Sequence, residues 1–368
     1  MKVTAAVVRK PGRPFSIERL ELDDPRADEV LIRIVGTGIC HTDIAVRDQH
    51  LPAPMPVVLG HEGSGIVEKV GSKVSGLRPG DHVVLSYDSC GRCPSCEKGL
   101  PGYCPDFFSM NFRCTRSDDS VALHSKHEDI FSHFFGQSSF ASFAITHQRN
   151  TIKVRNDAPL ELLGPLGCGV QTGAGSVMRA LRCEAGSSLV IAGGGSVGLS
   201  AVLGAVVQGC HPIIVVEPHE KRRELALSLG ATHVIDPVAE KELTSALNRI
   251  APTGLDYALD TSSLQSVISS LLAALTFQGS LLLVGVPRPE NAMLSLDVFT
   301  LLSKGITVKG ITEGDADPRE FIPVMIDLFM DNQFPFDKLC KIYPLEEINI
   351  AIEDQHNGLC VKPILRPS

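Results

Sequence analysis

Several common signatures are missing from this chain of 368 residues, and each omission narrows what it can do. It has no run of basic residues and a formal net charge of −8, so neither nucleic acid nor an anionic membrane is indicated as a partner. Its opening stretch, MKVTAAVVRKPG, is too briefly apolar to read as a secretory signal. The long segment without Lys, Arg, Asp or Glu, residues 185–216, is broken by three glycines at 193–195 and by Pro212. It therefore reads as strand, helix and strand rather than as a membrane span. Internal repeats and low-complexity linkers are also lacking. Cysteine is not: eleven cysteines in a chain of cytoplasmic character point to metal ligands or reduced thiols rather than disulfides.

Four of them, Cys90, Cys93, Cys96 and Cys104, fall in CGRCPSCEKGLPGYC at C-x2-C-x2-C-x7-C spacing. Four thiolates can surround one soft cation tetrahedrally and leave no position for a substrate, which predicts a closed, structural zinc site. An iron–sulfur run is the rival, and Pro105 after the last cysteine suits it. Its usual spacing, however, has three residues before the fourth ligand, where this chain has seven. Cys114, Cys183, Cys210, Cys340 and Cys360 read as small buried hydrophobes.

A second set is scattered: Cys40 in TGICHTD, His61 and Glu62 in GHEGSGIVEKVG, and Cys168 in GPLGCGVQTG. HEGSG lacks the second histidine of a zincin helix, and the adjacent His-Glu is not the His-x-Glu of a deaminase. Sulfur and imidazole ligands with one labile position suit catalytic zinc, which lowers the pKa of bound water from ~15.7 to about 7 and acts on an alcohol in the same direction. Asp43 is placed to orient a ligand imidazole.

Along the chain, residues 1–158 read as short strands between turns and 159–305 as strands alternating with helices. Residues 306–368 hold one helix, FIPVMIDLFMDN, and an apolar end that should return to the first domain. The expected fold is α/β, a mainly-β domain joined to a doubly wound parallel sheet. Gly193, Gly195 and Gly198 form G-x-G-x-x-G between the strand SLVIA and an apolar helix, the arrangement that seats a dinucleotide pyrophosphate. Glu217 ends the next strand, where an acid accepts the ribose hydroxyls and repels a 2′-phosphate; this predicts NAD over NADP. The basic trio Lys221, Arg222 and Arg223 reads mainly as a solvated helix face.

These motifs, in this order and over nearly the whole chain, resemble the zinc-dependent medium-chain alcohol dehydrogenases. The resemblance implies a GroES-like catalytic domain, a Rossmann domain and an active site in the cleft between them. It implies two Zn(2+) per chain, with Cys40, His61 and Cys168 as catalytic ligands and Glu62 as an exchangeable carboxylate. It gives Thr42 the role of taking the substrate proton. Cofactor contacts are implied at His41, Val197, Arg222, Val286 and Lys362. Within the family, CHTD-x3-RDQ, FFGQSSFASFA and ITEGDADP-x2-FIP are similar to the aryl-alcohol and geraniol dehydrogenases, which puts Phe134 and Phe135 in a substrate pocket. One departure matters: Ala45 stands where many relatives carry a relay histidine. The implied reaction is NAD-linked oxidation of a small-molecule benzylic or allylic primary alcohol by a cytoplasmic homotetramer or dimer. Alternatives are a polyol or thiol-adduct formaldehyde dehydrogenase of the same fold, or a non-catalytic nucleotide-binding redox sensor.

Overall fold

β-Branched and alternating segments build two largely antiparallel sheets in the first of two units of the computed structural model, which describes residues 1–288 and 292–368. This unit comprises Met1–Gly169, Asp317–Met330 and Asp337–Ser368. Among the described residues, its larger sheet has seven strands centred on Glu29–Gly38, which pairs antiparallel with Glu62–Val70 and with Phe143–His147. The C-terminal strand Lys362–Arg366 joins the same central strand, with Ile364 opposite Gly38 and Leu365 opposite Thr37. That register brings the end of the chain beside the start of Glu62–Val70, a placement that decides the chemistry described below. Val3, Val7, Leu20, Val57, Ile130 and Phe140 are among the buried residues of this unit's main core.

The second unit, Val170–Ala316 with Asp331–Phe336, is a doubly wound Rossmann sheet. Its six strands are parallel and run, edge to edge, His233–Ile235, Ile213–Val216, Leu189–Ala192, Leu255–Asp260, Leu275–Leu283 and Thr307–Gly310. In chain order that is 3-2-1-4-5-6, with the switch point between Leu189–Ala192 and Leu255–Asp260. Both strands LVIA and IIVV are buried along their whole length, as expected of parallel strands covered on both faces.

The units divide at Gly169 and Ala316, later than the sequence boundaries of 158 and 305. Residues 159–169 stay with the first unit because Ser64 Oγ donates to the Leu160 carbonyl (2.7 Å) and Ser86 Oγ to that of Gly167 (2.6 Å). Thr307–Gly310 stays with the second because it is the last strand of the parallel sheet. No helix among the described residues is long and apolar enough to cross a membrane.

Candidate active site and metal centres

In the first unit the four clustered cysteines place their sulfurs within 4.8 Å of one another. Gly91 (φ 69°) and Gly99 (φ 72°) make the turns that fold the run back on itself. The Cys90 amide donates to Cys104 Sγ at 3.4 Å, and Cys93 and Cys96 sulfurs lie 3.5 Å apart. None of the four is in a disulfide. Burial pushes the Cys104 thiol up to about 12, whereas the Arg92 amide draws Cys90 down to about 7. Four reduced sulfurs crowded this closely fit a soft cation with no fifth ligand.

Cys40, His61, Glu62 and Cys168 form a second group, also with ligand atoms within 4.8 Å. Cys40 caps the short helix His41–Arg47, and Asp43 in its first turn ties the neighbourhood together. The Asp43 carboxylate is wholly buried and accepts three hydrogen bonds, each 3.0 Å, from the Cys40 amide, the Gly60 amide and His61 Nδ1. Because Nδ1 is committed to Asp43, the lone pair of His61 is directed through Nε2. That atom is buried and has no hydrogen-bond partner among the described residues. A buried, partnerless imidazole nitrogen beside two thiols is the mark of a missing electrophile. The Cys40 thiol is held well below its ordinary range, chiefly by its hydrogen bond with Cys168 and next by His61, against the effect of burial. Zinc fits this donor set.

The aromatic surroundings are dense. Phe135 stacks on the His61 ring at 4.5 Å between centroids, and Phe134 meets it edge-on at 5.4 Å. Both phenylalanines are nearly or fully enclosed, at 4% and 0% exposure respectively. Phe134 packs among Phe112, Phe135 and His61. Phe135 (φ 51°) adopts a left-handed backbone that an L-residue rarely takes, which turns its ring onto the imidazole.

Lys362, expected to contact the cofactor phosphate, has a set of partners of its own. Its ammonium is fully buried and donates to Ile39 O (3.0 Å) and to both Glu62 oxygens (2.8 Å each), so all three protons are used on the first unit. A cofactor phosphate would have to displace one of them. Burial disfavours the ammonium, but the Glu62 charge outweighs it and holds Lys362 above its usual range. Glu62 is thus a gripped carboxylate, with the Gly169 amide (3.0 Å) as a further donor. Thr42 Oγ1 lies 3.8 Å from Cys40 Sγ, and His41 is exposed.

In the second unit the glycine turn behaves as its spacing requires. Gly193 has φ 102°, and a side chain on Gly198 would strike the Gly193 carbonyl oxygen. The space over Gly195 is open, which permits close approach of a phosphate to the start of helix Ser196–Gln208. Glu217 is buried and accepts from the Gly194 amide (2.6 Å) and the His219 amide (2.9 Å), so it braces the turn. Arg223 is tied to the Glu217 and Pro218 carbonyls. Val197 opens the helix half-buried, Arg222 lies in the first turn of Glu220–Ser228, and Val286 is exposed.

Comparison with known proteins agrees with this geometry. Residues 26–156 match the alcohol dehydrogenase GroES-like domain and residues 196–331 the zinc-binding dehydrogenase family. The chain is 47% identical over 362 residues to a geraniol dehydrogenase of Castellaniella defragrans, covering 98% of this chain and 96% of that one. The chain belongs to the zinc-dependent alcohol dehydrogenase family. Among solved structures, an alcohol dehydrogenase zinc-binding domain protein from Burkholderia ambifaria superposes with a TM-score of 0.97 at 49% identity, covering 100% and 99% of the two chains. Benzyl alcohol dehydrogenase from Acinetobacter calcoaceticus gives 0.96 at 44% identity, with both chains fully covered.

Two features of this dehydrogenase had no local signal in its sequence. Gln137 donates to the carbonyls of His61 (2.9 Å) and Ser86 (3.2 Å) and accepts from the Gly63 amide (3.0 Å), which fixes the backbone that presents His61 and Glu62. The stacking of Phe135 on His61 likewise depends on a backbone conformation that no motif announces.

Proposed function

We propose that the enzyme catalyses the reversible oxidation of a benzylic or allylic terpenoid primary alcohol to its aldehyde with NAD, using one catalytic and one structural zinc per chain. The observation that carries the reading is the partnerless His61 Nε2 set among Cys40, Cys168 and Glu62. The substrate class draws support from the relatives named for geraniol and benzyl alcohol.

When bound, zinc supplies Lewis acidity that eases loss of the alcohol proton, and NAD supplies the hydride acceptor. Cys40, His61 and Cys168 would hold the metal, with Glu62, gripped by Lys362, as the exchangeable carboxylate. Asp43 keeps His61 in the tautomer that presents Nε2. Thr42 Oγ1 would accept a hydrogen bond from the alcohol and relay the proton, releasing its own O–H proton as the alcohol proton is taken up. With Ala45 in place of an imidazole, the proton leaves toward solvent without a histidine at that position. Phe134 and Phe135 shield the His61 ring from water, Phe134 from its enclosed position behind, and Phe135 is the aromatic face nearest an unsaturated substrate. Gly193, Gly195 and Gly198 hold the pyrophosphate; Glu217 selects NAD; His41, Val197, Arg222 and Val286 complete the cofactor contacts.

A homo-oligomer, dimer or tetramer, is supported by the apolar surface of the second unit. Val298 (63%), Phe299 (78%) and Leu302 (77%) are exposed on helix Val298–Lys304. The neighbouring strand Thr307–Gly310 pairs on one side only among the described residues. Eleven cysteines, none in a disulfide, favour a reducing, cytoplasmic setting. The test is a panel of specificity constants for benzyl, cinnamyl, geranyl and short aliphatic alcohols with NAD and NADP. Higher kcat/KM for the conjugated alcohols with NAD is expected; a preference for short aliphatic alcohols or for NADP would overturn the reading.

A further inference from the structure

The four-cysteine lobe and the ligand group around His61 both lie in the first unit, and a short piece of chain joins them. Cys104, the last sulfur of the lobe, leads directly into helix Phe107–Phe112, and the Phe107 amide donates to the Cys104 carbonyl at 2.9 Å. A helix of six residues does not hold itself together in water, so its place is set by its anchors. Cys104 is one. Asn111 is the other: it is fully buried, its Oδ1 accepts from the Asp88 amide (2.9 Å), and its Nδ2 donates to the carbonyls of Asp88 (2.9 Å) and Phe107 (2.7 Å).

The anchored helix presents rings to the His61 neighbourhood. Phe112, half-buried, meets Phe135 at 5.2 Å and Phe134 at 5.7 Å between centroids, edge to face in both cases. Phe107 meets Phe135 at 6.2 Å. Phe112 therefore touches both of the rings that contact the imidazole, the stacked Phe135 and the edge-on Phe134. The hydrogen bond between Nδ1 and Asp43 fixes which nitrogen of His61 is presented. One bond at one edge leaves the ring free to tilt about it. The two phenylalanines remove that freedom, because stacked and edge-on rings have preferred mutual orientations. They set the plane of the imidazole and hence the direction of Nε2.

We propose that Phe112, held in place by the four-cysteine lobe, is a positioning residue for the catalytic metal and acts by fixing the plane of the His61 ring through Phe134 and Phe135. This rests on the two-zinc reading above and extends it to a residue that touches neither metal. Groups that orient a ligand imidazole are typically worth about 10–100-fold in metal affinity. The lower end, about tenfold or about 1.4 kcal/mol, is the size of one or two aromatic pairs.

Competition with a chromogenic chelator, applied to full-length wild type and to Phe112→Leu, Phe112→Met and Phe112→Tyr, tests the assignment. Phe112→Leu should raise the Kd of the weaker, catalytic zinc by about tenfold while the four-cysteine zinc stays within about twofold. Phe112→Met, whose adaptable chain fills the same space without a ring, should show the same selective loss if the leucine variant does not fold. Phe112→Tyr keeps the ring and should stay within about twofold of wild type at both sites. Cobalt(II) in the catalytic site supplies a second readout, since its visible absorption bands follow ligand geometry; they should shift in Phe112→Leu and coincide with wild type in Phe112→Tyr. Catalytic zinc held within twofold by both Phe112→Leu and Phe112→Met, or equal weakening of the two zinc sites, would overturn the inference. A wild type that takes up only one zinc per chain would overturn the two-zinc reading, and the inference with it.

Discussion

Replacement of Asp43 by Asn probes the link between the catalytic ligands and the backbone that holds them. The substitution keeps the shape of the side chain but turns one acceptor oxygen into a donor. If the remaining oxygen stays with Gly60 N and His61 Nδ1, the new amide faces the Cys40 N–H, donor against donor. If it flips, His61 and Gly60 lose their acceptor instead. Either way a charge-assisted hydrogen bond is lost and a buried donor is stranded. These effects cost about 1.5–3 and about 1–3 kcal/mol. Part of that falls on folding and part on the metal, because the freed imidazole no longer presents Nε2 reliably. Loss of such an outer hydrogen bond typically weakens metal binding by about 10–100-fold. Zinc affinity is measured by competition with a chromogenic chelator, alongside urea unfolding of the loaded enzyme. An Asp43→Asn protein that binds its weaker zinc within twofold of wild type, at unchanged stability, would refute the argument that Asp43 sets the His61 tautomer.

Cys40→Ser should abolish turnover while leaving NAD affinity, read by calorimetry, within about twofold, because the glycine turn lies in the other unit; substantial retained activity would contradict its ligand role. His133 is held down to about 4, by burial first and the Arg116 charge second, whereas the unfolded chain protonates it near 6.5. The folded state therefore resists a proton that the unfolded state accepts, so this contribution is complete above pH 6.5 and is lost as pH falls toward 4. His133→Asn, which tolerates the left-handed backbone, should lessen the acid loss by about 2.5 kcal/mol in paired urea titrations at pH 7 and pH 4.5, and an unchanged pH dependence would sink the point. Glu217→Ser should raise kcat/KM with NADP relative to NAD, since a carboxylate about 4 Å from a 2′-phosphate opposes it by roughly 4 kcal/mol; a ratio that does not move would show that the acid does not select the cofactor.

What could be read from the sequence was local. The cysteine spacing and the glycine turn encode their geometry within a few residues, so Cys90, Cys93, Cys96, Cys104, Gly193 and Gly198 come together as their motifs require. The scattered ligands were legible because soft donors in Gly-rich loops are chemically unusual, and family resemblance joined them. The ion pair of Lys362 with Glu62 was not legible because the two lie 300 residues apart, and only the antiparallel addition of Lys362–Arg366 to Glu29–Gly38 brings them together. The bracing role of Gln137 and the stacking of Phe135 on His61 went unread for a related reason. Their roles follow from a left-handed turn in an apolar segment whose pattern reads equally well as plain core. The unit boundaries shifted because hydrogen bonds from Ser64 and Ser86, not a change in composition, decide where residues 159–169 belong.

Metal analysis of fully active protein tests the centre of the account most directly. Inductively coupled plasma mass spectrometry should find two zinc ions per polypeptide in the wild type and one in Cys40→Ser, the remaining ion being that of the four-cysteine lobe. Full activity with fewer than two ions per chain, or two ions retained tightly by Cys40→Ser, would contradict a catalytic metal held by Cys40, His61 and Cys168.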